Sequence, residues 1–109
     1  MVLDFPDWSD PVIPGEFTLA GQGVKLVAVT GTAVAIKAST AVKQVMVKAR
    51  TANAGTIYLG SSTVTANETA GTGGLQLSPG DMVAFPVPNL AGVYINGTAG
   101  DGVSFAYWT

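Results

Sequence analysis

Histidine and cysteine are both absent from this chain of 109 residues, and charged residues make up only 11% of it. Without histidine, the chain lacks the side chain whose ordinary pKa is closest to neutral pH. Without cysteine, it can form no thiolate nucleophile, no disulfide and no Cys/His zinc site. These absences argue against an enzyme, and they leave no catalytic, cofactor-binding or metal-binding residue to propose.

The few charged residues are unevenly distributed along the chain. All the basic residues lie in the middle stretch and all the acidic residues lie on either side of it: Lys25, Lys37, Lys43, Lys48 and Arg50, against Asp4, Asp7, Asp10, Glu16, Glu68, Asp81 and Asp101. A net charge of −2 argues against nucleic acid as the main partner. Two interpretations stay open: lysines that solvate strand faces and protect sheet edges, or an acidic arm that binds the basic sheet of a neighbouring subunit.

The apolar content of the chain is high for so little charge. Hydrophobic residues make up 48% of the sequence, and an apolar surface with few charges favours association. No apolar run approaches the roughly 18–20 residues that span a membrane, so no membrane partner is expected. The start of the chain carries acids and prolines where a signal peptide has basic and apolar residues, which predicts synthesis and retention in the cytoplasm or in a particle.

Residues 1–22 are predicted to form an extended N-terminal arm. Its three prolines force extended or turn conformations on themselves and on the residues before them. An extended segment cannot bury large apolar groups against itself, so these groups must pack on this domain or on another subunit. The candidate partner-binding residues of the arm are Phe5, Trp8, Pro11, Ile13 and Phe17.

Residues 23–109 have the pattern of an all-β domain. Short segments rich in β-branched and aromatic residues recur about every 8–12 residues, with Gly, Pro and Asn between them. About eight strands and no helix are predicted, as in an antiparallel β-sandwich with a jelly-roll-like arrangement. In residues 42–50, Val45 and Val47 share one phase while Met46 and Lys48 share the other. The pattern leaves open which phase faces the core.

Turn signals give more local predictions. The short links TGT (residues 30–32) and STA (residues 39–41) favour antiparallel pairing of the strands that they join. A short strand is predicted around Val64, and Pro79–Gly80 predicts a type II turn. Pro86 and Pro88 predict that their strand ends at a sheet edge, because proline cannot donate a ladder hydrogen bond.

The exposed aromatic residues admit two interpretations. Trp8, Tyr58, Tyr94 and Trp108 are typical of interfaces, and we assign Tyr94 and Trp108 as possible interface residues. The alternative is a carbohydrate-binding module in which Trp108, Tyr94 and residues 61–74 contact a sugar.

The stretch from residue 44 to residue 108 resembles small structural proteins of tailed bacteriophages. The resemblance is carried by VMVKARTANAGTIYLGSSTVTANETAGTGGLQLSPGDMVAF and by the opening FPDWSDP. It implies a virion component made in the host cytoplasm and placed on the capsid surface: a head-decoration (cement) protein, or a tail or fibre module. The implied partners are the capsid protein and further copies of the chain, with a trimer as the implied oligomer.

Overall fold

The structure, a computed structural model, describes residues 19–109. It contains eight strands and one 3₁₀ turn at Leu90–Gly92. The strands are β1 (Leu19–Leu26), β2 (Val34–Ala35), β3 (Gln44–Ala49), β4 (Ile57–Gly60), β5 (Leu75–Leu77), β6 (Met82–Pro86), β7 (Tyr94–Asn96) and β8 (Gly102–Trp108).

The strands form two antiparallel sheets of four. Sheet 1 has the order β1-β8-β3-β6, and sheet 2 has the order β2-β7-β4-β5. Every pairing between neighbouring strands is antiparallel. The prediction of an all-β antiparallel sandwich is therefore confirmed.

The chain passes from one sheet to the other at almost every connection. Within residues 19–109, β4 and β5 are the one pair of consecutive strands that lie in the same sheet. This alternation is the connectivity of an eight-stranded jelly roll. The prediction that the links at residues 30–32 and 39–41 join antiparallel neighbours is wrong, because β1 and β3 lie in sheet 1 and β2 lies in sheet 2. A link of a few residues spans the roughly 10 Å between sheets as readily as the shorter distance between strands.

The core lies between the two sheets and is built mainly from aliphatic side chains. Sheet 1 contributes Val45, Val47, Val103 and Phe105, and sheet 2 contributes residues that include Ile57. Connecting segments close the ends of the core with Val27, Ile36, Val42, Leu90 and Val93. Each such side chain contributes about 1.5–3 kcal/mol when it is fully buried, so this layer is the main source of stability.

The structure resolves which phase of β3 faces the core. Val45, Val47 and Ala49 are fully buried, whereas Met46 is exposed and Lys48 is half-buried. The valines occupy the inner phase because their branched side chains fill the space against sheet 2. Met46 and Lys48 consequently lie on the outer face of sheet 1.

Two glycines in β1 make room for aromatic rings on the inner side of sheet 1. Gly21 is paired with Tyr107 and Gly23 with Phe105 on β8. A Cβ atom on Gly23 would lie 2.8 Å from Phe105 Cζ, and one on Gly21 would lie 2.8 Å from Tyr107 Cζ. The rings therefore cover the glycines and shield this edge of the core.

The predictions for individual turns have mixed outcomes. Gly80 has a φ of 91°, and the Asp81 amide donates to the Ser78 carbonyl over 2.9 Å, as the predicted turn at Pro79–Gly80 requires. The edge position of the strand that ends at Pro86 is confirmed, since β6 is the outermost strand of sheet 1. The predicted strand around Val64 is wrong, because Val64 lies in a turn that folds onto sheet 2.

The predicted arm is only partly within the described residues. Strand β1 includes residues 19–22, and Leu19, Gly21 and Gln22 pair with β8, whereas the sequence places these residues in the extended arm. The strand extends this far because β8 continues to Trp108 and offers it a partner. Phe5, Trp8, Pro11, Ile13 and Phe17, the predicted binding residues of the arm, lie outside the described residues.

Asp101 and Asn53 join two turns at one end of the sandwich. The Asp101 carboxylate is 5% exposed and accepts hydrogen bonds from the amides of Ala54 (2.8 Å) and Gly55 (2.9 Å). Asn53 accepts from the Gly102 amide and donates to the Gly102 carbonyl, each over 2.9 Å. The two side chains thus tie the turn at residues 53–55 to the start of β8.

We predict that Asp101→Ala lowers the free energy of unfolding by about 2 kcal/mol, because two backbone amides lose a charged acceptor. Asp81→Ala is the matched control, since Asp81 accepts from the exposed Ser78 amide. The control should lose less than about 1 kcal/mol. Urea unfolding with an unchanged m-value measures both. Equal losses in the two variants would contradict this role of Asp101.

Candidate interaction surface

The outer face of sheet 1 is an apolar surface on the outside of the protein. Strands place alternate side chains on opposite faces, so the residues between the core positions point away from sheet 2. Most of these outward positions carry apolar side chains. They are Leu19, Val24 and Leu26 on β1, Ala106 and Trp108 on β8, Met46 on β3, and Met82, Ala84 and Pro86 on β6.

The register of the strands arranges these residues in rows across the sheet. One row contains Val24, Ser104, Lys48 and Met82; another contains Gln22, Ala106, Met46 and Ala84. A third row, at the end of the sheet, contains Leu19, Trp108, Gln44 and Pro86. Within the four strands of sheet 1, Lys48 is the one charged residue on this outer face. We call this surface the apolar face.

The apolar face holds most of the large hydrophobic side chains that are exposed. Seven such residues occur in the described part of the chain, and five of them lie on this face: Leu19, Val24, Leu26, Met46 and Met82. Val24 is 60% exposed and Met82 is 58% exposed. Single exposed apolar residues are ordinary, but a contiguous set marks an interaction site.

The centre of the apolar face is slightly concave. A depression of about 220 Å³ lies between β6, β3 and β8 and is lined by Met46, Lys48, Met82, Ser104, Phe105 and Ala106. Its lining combines the small residues Ser104 and Ala106 with the longer side chains of Met46, Met82 and Lys48. Methionine side chains adapt their shape to a partner, so this depression can receive an apolar side chain.

The outer face of sheet 2, in contrast, is partly covered by the chain itself. Val64, in the segment of residues 61–73 that links β4 to β5, packs on this face and is 4% exposed although it lies outside the main core. A Cβ atom on Gly60 would lie 3.0 Å from Val64 Cγ2, which shows how closely this segment packs on β4. Gly74 has a φ of 64°, a left-handed conformation that glycine adopts readily.

A buried asparagine fixes this covering segment to sheet 2. Asn96, on the outer face of β7, is 1% exposed. Its Nδ2 donates to the carbonyls of Val64 (3.0 Å) and Gly31 (3.2 Å), and its Oδ1 accepts from the Gly97 amide (2.7 Å). A buried side-chain amide with all these partners is well satisfied. Within residues 19–109 the two outer faces of the sandwich therefore differ: a loop packs on the face of sheet 2, and no described segment covers the face of sheet 1.

A second concavity lies at the side of the sandwich where β6 forms the edge of sheet 1. Its volume is about 310 Å³, and its apolar lining includes Leu59, Phe85, Val87 and Val93. Ser61 contributes the one side-chain hydroxyl of the lining. Ligand-binding pockets usually combine an apolar lining with several convergent polar groups, and this concavity lacks them.

The structure separates the two aromatic residues that the sequence offers as interface candidates. Trp108 is half-buried in the end row of the apolar face. Tyr94 lies on the outer face of sheet 2, opposite Gly60 on β4. Tyr58 shares that outer face. Because Trp108 and Tyr94 lie on opposite outer faces, they do not form one sugar-binding platform with residues 61–74.

The large exposed side chains of the apolar face could not be identified as site residues from the sequence alone. Met46, Met82, Val24 and Leu26 were not among the predicted site residues. In the sequence these residues are apolar and stand at alternate strand positions, out of phase with the residues that face the core. That signal is visible only once the core phase of each strand is known.

Within residues 19–109, no helix is long or apolar enough to cross a lipid bilayer. The same residues contain no group of three or more carboxylate side chains placed to hold a metal ion. The chain matches no protein-family model, no curated protein and no solved structure. The geometry and chemistry of the apolar face therefore carry the functional argument.

Proposed function

We propose that this protein is a structural subunit that associates with further copies of itself and with other proteins through the apolar face of sheet 1. The observation that supports this proposal is the concentration of exposed Leu, Val and Met side chains on one sheet face. Removing apolar surface from water contributes about 25 cal/mol per Å². A partner that covers this face gains that energy with little cost from charged groups, since Lys48 alone is charged there.

The setting that we propose is the surface of a virus particle, where the protein decorates and stabilises a phage capsid. The resemblance of residues 44–108 to small phage structural proteins supports this setting. A jelly-roll domain provides a scaffold for such a subunit, and symmetric assembly on a lattice repeats each modest contact many times. A trimer is the oligomer that the resemblance implies, and a tail or fibre position is the alternative within the particle.

We predict that Met46→Lys weakens self-association by about tenfold or more, because it places a second charge in the centre of a surface that must lose water. The fold should be unaffected, since exposed positions rarely change the free energy of unfolding by more than about 0.5 kcal/mol. Sedimentation equilibrium of the full chain measures the association constant.

Leu75→Lys is the matched control for this variant. Leu75 is 49% exposed and lies on sheet 2, away from the apolar face. The control should associate like the unchanged protein. If both variants associate equally well, the apolar face is not the contact surface; a full chain that stays a monomer of 11.0 kDa at every concentration would contradict self-association itself.

The proposed setting predicts that phage particles purified from cells that produce this chain contain it in symmetric positions on the head. Electron microscopy of these particles, with mass spectrometry to identify the chain, gives location and symmetry together. Density on the tail would support the fibre alternative. Absence of the chain from the particles would contradict the virion role. It would not contradict self-association, which sedimentation tests separately.

A further inference from the structure

We propose that residues 1–18 of a neighbouring copy pack across the apolar face of sheet 1. This inference rests on the proposed function, because it requires that copies of the chain associate. In this arrangement, the segment that covers the face belongs to a different subunit from the face itself.

The place where this segment joins the fold supports the assignment. Residue 19 begins β1, and Leu19 lies in the end row of the apolar face, paired with Trp108. The segment therefore meets the face at the end of sheet 1. Eighteen extended residues reach up to about 60 Å, whereas β1 spans only about 26 Å along the face. A segment of this length is long enough to leave its own domain and cover the face of the next one.

The apolar residues of the segment match the chemistry of the face. Residues 1–18 contain Phe5, Trp8 and Phe17 together with Val12 and Ile13. The face offers methionines beside the central depression. Contacts between methionine sulfur and aromatic rings are favourable by about 0.3–1.5 kcal/mol each, in addition to the burial of apolar area.

The charges of the two partners are complementary. Residues 1–18 contain four acidic and no basic residues, whereas residues 19–109 contain five basic and three acidic ones, a net charge of +2. Lys48, the charged residue of the apolar face, lies in the row of Val24 and Met82. An acidic, aromatic segment is thus attracted to this domain and finds a basic group beside Met82 on its apolar surface.

The size of the face favours a segment from another copy over simple contact between two faces. Four strands about 4.8 Å apart and about 20 Å long present on the order of 400 Å². A stable interface usually needs about 800 Å² from each partner, so two such faces in contact would be small. An exchanged segment adds its own surface to the interface. If the segment covered the face of its own chain, that face would not be available for the proposed association.

Cross-linking between single cysteines tests this inference, and the cysteine-free chain provides a clean background. Trp8→Cys and Met46→Cys are made in separate full-length chains, mixed, and treated with a short bismaleimide. Leu75→Cys on sheet 2 replaces Met46→Cys in the matched control. Phe5→Cys provides a second position on the segment that leaves Trp8 in place.

We expect cross-linked dimers of Trp8→Cys with Met46→Cys, at a yield about tenfold or more above that with Leu75→Cys, because bound groups have high effective concentrations. The Phe5→Cys chain should give the same preference. A double variant with Trp8→Cys and Met46→Cys that cross-links within one chain and not between chains would overturn exchange between subunits.

The failure of this inference is distinguishable from failure of the proposed function. Sedimentation of the same mixtures shows whether copies associate. Association without preferential cross-linking to Met46→Cys would overturn residues 1–18 as the occupant and leave the proposed function intact. Absence of association would overturn both.

Discussion

A β-strand turns alternate side chains to opposite faces, so a two-layer sandwich can bury only one face of each sheet in its core. Sheet 1 carries mostly apolar side chains on both of its faces. The inner phase of β3, with Val45 and Val47, fills the core against sheet 2, while Met46 in the outer phase remains exposed. No described segment packs on the outer apolar face of sheet 1. The proposed function and the proposed occupant of the face both rest on this uncovered surface.

Sheet 2 also has an outer face that the core cannot bury, and a loop of the same chain covers part of that face. Val64, in the loop that follows β4, is buried against the outer face of sheet 2, and Asn96 donates a hydrogen bond to the Val64 carbonyl. Gly60 leaves the space into which Val64 packs. The outer face of sheet 2 is thus partly covered by a loop, whereas the outer face of sheet 1 exposes apolar side chains that a partner can cover. A capsid-coating protein would use the second for assembly.

The fold class could be predicted from the sequence because strand periodicity and turn residues are local properties. The turn at Gly80 and the edge position of Pro86 were predicted for the same reason. The number and spacing of the strands predict a jelly-roll-like arrangement but not the strand order, because short links such as residues 30–32 can join strands in the same sheet or in opposite sheets. The apolar face was hidden as well: Met46 stands between Gln44 and Lys48, so this phase of β3 resembles a solvated strand until its neighbours on β1 and β6 are known. Val64 was mistaken for part of a strand because a buried turn residue and a strand residue carry the same apolar signal.

The most direct test of the central claim is oxidative footprinting of Met46 and Met82 in the associated full chain and in a chain that lacks residues 1–14. Methionine oxidation depends on access to the sulfur atom, and both residues lie on the apolar face. The account predicts that Met46 and Met82 react slowly in the full chain and rapidly in the shortened one, with the sandwich still folded in both. Equal and rapid oxidation in the two proteins would show that the face stays open, and it would contradict the account.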